Sequence, residues 1–339
     1  MNLIKLGVVL IAIGTTLFAK PYKDDVKFTP SNNKRLAVVY TLNEPIDKKF
    51  VEFTKKDLLT IGFYLNDPHH NVNNVYEREF GFTELATLNF SSLYIDKVVR
   101  PMFNKDPRVG AFSPVNLHMY RTKADPNTTV IAHLTPEAIL DIAQIDDKEI
   151  RTKYIKAFEP LDKMIEEKIG GKKSYLEIKG YAKDTMMNFE IPFEEPEDVE
   201  EFMDDFQEKF ERAFQKKGYI IAGFYDAKNS FVSDEDILED YVTFWSYDLC
   251  HIPFSYDVFD GKNGIPVAGI FAPCSIYVYV REDENKIVFG MPTLAAWIAA
   301  LGITDERKLK RMNGLDVEIE SIVKSLGGIA MPNGNPLLK

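Results

Sequence analysis

Cysteine is nearly absent from this chain: only Cys250 and Cys274 occur among 339 residues, both in the second half. With no C-x-x-C spacing, that scarcity excludes a disulfide-dense scaffold and a thioredoxin-type motif. The chain also lacks H-E-x-x-H, G-x-S-x-G, a P-loop and a dinucleotide-binding glycine pattern. The common short signatures of zinc proteases, serine hydrolases and nucleotide enzymes are therefore missing. Basic residues are in deficit, with 41 Lys and Arg against 52 Asp and Glu and a net charge of -11. A surface of that sign suits neither nucleic-acid phosphates nor anionic lipid. Beyond residue 20 no apolar run approaches the roughly 20 residues that a membrane-spanning helix needs.

What is present begins with an address. Met1-Asn2-Leu3-Ile4-Lys5 is a short basic start, Leu6 to Leu17 an uncharged apolar core, and Ala19 a small residue at a cleavage position. This is the pattern of a secretory signal peptide over residues 1–19. It predicts a periplasmic protein with no stable membrane insertion after cleavage. Residues 20–34 are polar and aperiodic and read as a flexible lead-in. The apolar fraction of 45%, with 24 Phe and 16 Tyr, is ample for two packed cores.

The remainder says much the same thing twice. Phe112-Ser113-Pro114-Val115-Asn116-Leu117-His118-Met119-Tyr120 is echoed by Phe271-Ala272-Pro273-Cys274-Ser275-Ile276-Tyr277-Val278-Tyr279. Each is followed by a Pro (Pro136, Pro292), a small-apolar run (138–143, 295–300), an amphipathic helix and a glycine pair (Gly170-Gly171, Gly327-Gly328). Shared order and spacing predict a duplicated domain packed as an internal pseudo-dimer, with repeats at 35–171 and 172–328 and a tail at 329–339.

Within the first repeat, strands are predicted at Leu36–Tyr40, Phe63–Leu65, Thr87–Phe90, Val115–Tyr120 and Thr129–His133. A helix from Asp47 and another over 148–169 complete it, in β-α-β4-α order. In the second, Met187–Ile191, Tyr219–Tyr225, Cys274–Val280 and Lys286–Phe289 read as strands. Val199, Phe202, Met203, Phe206, Phe210 and Phe214 form a helical stripe that belongs in a core.

Asp106-Pro107-Arg108-Val109-Gly110, followed by Phe112-Ser113-Pro114-Val115-Asn116, resembles the central motif of the bacterial "domain of unknown function 302" family, where D-P-x-x-G leads into a Pro-Cys-Asn strand. Leu249-Cys250-His251-Ile252-Pro253 resembles the family's upstream Cys-Asn-Pro element, and Pro273-Cys274-Ser275 its Pro-Cys-Asn element. The first repeat departs in having Val115 in place of Cys. The second has His251 in place of Asn and shows Gly261-Lys262-Asn263-Gly264 where D-P-x-x-G is expected. The resemblance implies an α+β fold: two tandem domains, each one antiparallel sheet with helices on one face, similar to the TATA-binding-protein architecture. It implies no reaction.

Three fates are open to Cys250 and Cys274. The first expectation, in an oxidising compartment, is a structural disulfide with Cα atoms within about 7 Å. They could remain buried thiols. They could act as a redox pair or, with His251, hold copper or zinc. Alternation on the strand from Cys274 through Ile276, Val278 and Val280 points that thiol into the core. His69-His70 reads as a solvated loop pair. His118 alternates with Asn116 and Tyr120 on an expected exposed face. The function that follows is non-catalytic binding of a small ligand or a periplasmic protein partner, with no cofactor; the rivals are a thiol redox protein and a soft-metal carrier.

Overall fold

The computed structural model describes residues 28–230, 237–261 and 263–331. The expected signal peptide and its cleavage site at Ala19 lie outside them. Among the described residues, no helix is long and apolar enough to cross a membrane.

Each half forms a six-stranded antiparallel sheet. The first uses β1 (Arg35–Leu42), β2 (Tyr64–His69), β3 (Leu85–Tyr94), β4 (Val115–Thr122), β5 (Thr129–Leu134) and β6 (Lys172–Glu177), in the order β2-β3-β4-β5-β1-β6. The second uses β7 (Met186–Pro192), β8 (Ile220–Asp226), β9 (Tyr241–Cys250), β10 (Cys274–Arg281), β11 (Lys286–Pro292) and β12 (Ile329–Met331). Its order, β8-β9-β10-β11-β7-β12, is the first order repeated six strands on. The α+β class and the duplicated layout are as the sequence predicts.

Two boundaries move. β6 pairs with β1, Lys172 lying opposite Thr41, so the hand-over between domains falls after Glu177 and not at 171/172. Ile329–Met331, expected in the tail, pairs with β7. The closing helix of each repeat brings the chain back beside an open sheet edge, whose unpaired backbone groups a further strand can satisfy. Gly170 and Gly171, at φ +83° and +99°, supply the turn into that edge.

The long helices cover the outer face of each sheet, and shorter ones reach the seam between the sheets. In the first domain these include α1 (Asp47–Glu52), α2 (Asn73–Phe80), α3 (Asp96–Phe103), α4 (Pro136–Ile142) and α5 (Lys148–Lys168). α5 buries Tyr154, Phe158, Leu161 and Ile165. Its Asp162 accepts from the Tyr40 hydroxyl at 2.5 Å and lies 3.2 Å from His133 Nε2. The second domain has α6 (Val199–Gln215), α7 (Ile252–Ser255), α8 (Leu294–Leu301) and α9 (Glu306–Ser325). Asp198 caps α6 by accepting from the Glu200 and Glu201 amides. The predicted stripe buries Met203, Phe206, Phe210 and Phe214, and Phe210 packs on Tyr247 and Phe289 of the sheet.

The other faces meet each other. The 3₁₀ turn Pro107–Phe112 of the first domain lies on β10 and β11, and its counterpart Pro266–Phe271 lies on β4 and β5. Both seats need glycine. A Cβ on Gly110 would stand 3.0 Å from the Tyr277 Cβ, and one on Gly269 would stand 2.5 Å from the His118 ring. His118 and Tyr277 are repeat equivalents, so the contact is reciprocal. Asn116 donates to the Gly269 carbonyl at 2.7 Å, and Phe103 stacks on Phe244 at 4.2 Å.

His118 is therefore buried rather than exposed, its Nε2 2.9 Å from the Pro266 carbonyl and its Nδ1 3.3 Å from that of Asn89. Burial lowers its pKa to about 4. Half-polar alternation reads as a solvent-facing strand, but here a second domain replaces the solvent.

Ser92 and Asp248 are likewise equivalents, and they meet across the seam. Asp248 accepts from the Ser92 hydroxyl at 2.8 Å and from Ser275 at 3.0 Å. Burial raises its pKa to about 6, the two hydroxyls acting the other way; Asp67 adds to the rise and His69 opposes it.

Gly269→Ala should lower stability by about 1–3 kcal/mol through overpacking at a buried seat, measured by denaturant unfolding. Stability equal to wild type would show that the 3₁₀ turn has room to shift. Asp248 titrates higher folded than unfolded, so its contribution is complete below about pH 4 and is lost as pH rises through about 6. Asp248→Asn should remove on the order of 2–3 kcal/mol of that decline, read as unfolding free energy against pH. An unchanged pH profile in the variant would overturn this assignment.

Candidate functional site

β9 ends and β10 begins side by side, Leu249 opposite Cys274, and Cys250 opposite Ile220 of β8. The chain leaves β9 through His251, whose Nδ1 accepts from the Phe254 amide at 3.2 Å and so caps α7. Pro273, after a cis peptide bond, leads into β10, as Pro114 leads into β4. A cavity of about 270 Å³ opens at these strand ends, and residues of both domains line it. The second domain contributes Cys250, Cys274, Phe254, Phe259 and Trp297; the first contributes His69, Val72, Val75, Arg78 and Phe90.

Strand equivalence explains why there is room. The register that matches Leu249–Cys274 with Leu93–Val115 sets Cys250 at the place of Tyr94. At the pseudo-equivalent position in the other half of the seam, Tyr94 packs on Tyr225 with ring centroids 4.1 Å apart. Arg100 of α3 closes that region by donating to the Ala227 and Lys228 carbonyls. A tyrosine fills one rim, whereas a cysteine leaves the other hollow.

Both thiols are free, so the expected disulfide is not formed. Cys274 pairs with Leu249 and not with Cys250, and successive strand residues point to opposite faces, so the sulfurs do not meet across the pair. Burial pushes the Cys250 thiol up to about 11, against a hydrogen bond from Ser255, and pushes Cys274 higher still. Thiols held this way are neutral at physiological pH and poor nucleophiles. Cys250, His251 and Cys274 come to the same cavity, but His251 Nδ1 is engaged as a cap. Among the described residues no group of three or more His, Cys, Asp or Glu is placed to hold a metal ion.

The remaining expected residues have structural places. Asp106 caps the 3₁₀ turn that begins at Pro107 and binds the Arg108 guanidinium at 2.9 and 2.7 Å, both side chains buried. Gly110 is the seat on Tyr277. The second-domain counterpart is Ile265-Pro266-Val267-Ala268-Gly269, not Gly261–Gly264. Counting back from Phe112 and Phe271 would have found it, since both turns read P-x-x-G-x-F. His69 is not simply solvated: its Nε2 lies 2.7 Å from the Ala222 carbonyl and joins the facing edges of β2 and β8. His70 is half-buried, and burial, Lys55 and His69 lower its pKa. The walls at Val72, Val75, Arg78, Phe259 and Trp297 carry no motif; they converge only because two domains dock.

A larger hollow of about 880 Å³ flanks the connection at 178–185. Two of the acidic groups that line it already have partners. Asp141 pairs with Arg151 at 2.9 Å and accepts from Ser31 and Tyr181, and Asp316 accepts from the Leu294 and Ala295 amides that open α8.

No family model matches the chain, and no curated protein matches it. Among solved structures, it is similar to an uncharacterized conserved protein DUF302 from Bacillus stearothermophilus. That likeness is 14% identical, covers 41% of this chain and 96% of that one, and has a TM-score of 0.33.

Proposed function

We propose that this protein is an exported, non-catalytic binding protein that takes a small, largely apolar ligand into the cavity between its two repeats. The observation that carries this is the cavity itself, walled by Phe, Trp, Val and neutral thiol groups from both domains. Apolar pockets with a few polar groups, placed where domains meet, are the usual form of small-molecule sites. Export is supported by the basic start and apolar core of residues 1–19. The relation to the DUF302 family, as two divergent copies, is supported by the D-P-x-x-G turn, the Pro-Cys strand and the equal strand order of the two sheets.

The raised thiol pKa values and the strand register weigh against the redox reading. In protein prepared without reductant, both thiols should be free. At pH 8 the native thiols should react with a disulfide reagent such as Ellman's reagent roughly 100-fold slower than after denaturation, in line with the lowered thiolate fraction. Reaction at the denatured rate would revive the oxidoreductase.

N-phenyl-1-naphthylamine, an uncharged apolar fluorophore, should bind saturably, one molecule per chain. Val75→Trp, which fills the cavity from the half-buried side of α2, should abolish that binding while leaving thermal stability within about 1 kcal/mol, as for a substitution outside the core. Failure of the fluorophore to bind wild type, or equal binding by the variant, would remove the cavity as the site.

A further inference from the structure

The wall of the cavity differs in charge from the chain as a whole, although Glu318, Asp316 and Asp248 lie close enough to act on His251 and Cys274. The chain has 52 Asp and Glu and a net charge of -11, yet among the described residues no carboxylate lines this site. Among the described lining residues, the one with a permanent charge is Arg78. Its side chain is 68% exposed, which places it at the mouth, whereas Trp297 is 2% exposed and lies at the inner end. Ile220, 49% exposed, forms apolar rim. Among the described residues, the polar partner of Arg78 is its neighbour Glu79, in an exposed ion pair at 3.0 Å. Surface pairs of that kind contribute little, so a ligand anion can replace Glu79 at small cost. A guanidinium also offers a forked donor set that fits a carboxylate with two hydrogen bonds.

We propose that the ligand is a short amphipathic monoanion, with an apolar tail directed towards Phe254 and Trp297 and a carboxylate at the mouth on Arg78. This rests on the cavity being a ligand site, as argued above. The volume of about 270 Å³ lies just below the roughly 300–1,000 Å³ of drug-sized pockets, which limits the tail to a short chain or a single ring. An ammonium head group would face the Arg78 cation on the wall, with Glu79 already paired to it.

Calorimetric titration of the whole protein with octanoate, 1-octanol and octylammonium separates these possibilities. Octanoate should bind about two- to fivefold more tightly than 1-octanol, with octylammonium weakest, and 0.5 M salt should erode the octanoate advantage, as for any exposed charge pair. Arg78→Gln should bring octanoate down to the level of 1-octanol and leave 1-octanol unchanged; Arg78→Lys should retain part of the preference. Equal binding of octanoate and 1-octanol to wild type, or a preference for octanoate that survives Arg78→Gln, would overturn the head-group assignment and leave the apolar site standing. Binding of none of the three would overturn both.

Discussion

Each sheet packs its long helix on one face, and the other face carries groups that a single domain cannot leave bare. In the first domain these include Phe90, His118 and Tyr120; in the second, Phe244, Tyr277 and Tyr279. All are buried or nearly so because the copies cover each other. A domain is a set of layers that must each bury an apolar face, and here the missing layer is the other repeat. The 3₁₀ turns make this cover close, because a residue without a side chain, Gly110 or Gly269, lets backbone lie directly on a ring. Everything else in the molecule is arranged around that reciprocal seat.

Divergence between the copies then shapes what the seam contains. Where the first repeat has Ser92, Tyr94 and Val115, the second has Asp248, Cys250 and Cys274. Ser92 and Asp248 supply a hydrogen bond across the pseudo-symmetry axis that two identical copies could not make in the same form. Tyr94 fills its rim and Cys250 leaves an opening. A symmetric pseudo-dimer would carry two equal rims; this one has a packed rim and a hollow one, and the hollow one is the candidate site.

The parts of this organisation that depend on neighbours in sequence were legible there. The Phe206, Phe210, Phe214 stripe, the alternation after Cys274 and the echo of Phe112–Tyr120 in Phe271–Tyr279 are local patterns, and each has its expected place. What depends on one domain meeting the other was not legible. His118 has the neighbours of an exposed residue and becomes buried because Gly269 docks on it. β6 and β12 are short segments after a glycine pair, without a period of their own, and become strands by completing an edge. Arg78 and Trp297 stand far apart in the chain, in different repeats, and no spacing rule links them.

The two cysteines were the sharpest chemical signal in the sequence, and in the fold their size and neutrality matter more than their reactivity. A thiol is small, apolar enough to line a dry wall, and polarisable against aromatic rings. Cys250 occupies a place where its equivalent, Tyr94, would fill the space. The strand register that sets Cys274 against Leu249 keeps the sulfurs from pairing, and burial keeps them protonated. For a chain proposed to work in an oxidising compartment, these two restraints together hold the wall in its reduced form. The thiols are thus consistent with export without a disulfide, and with a cavity whose character is set by its shape and its apolar walls.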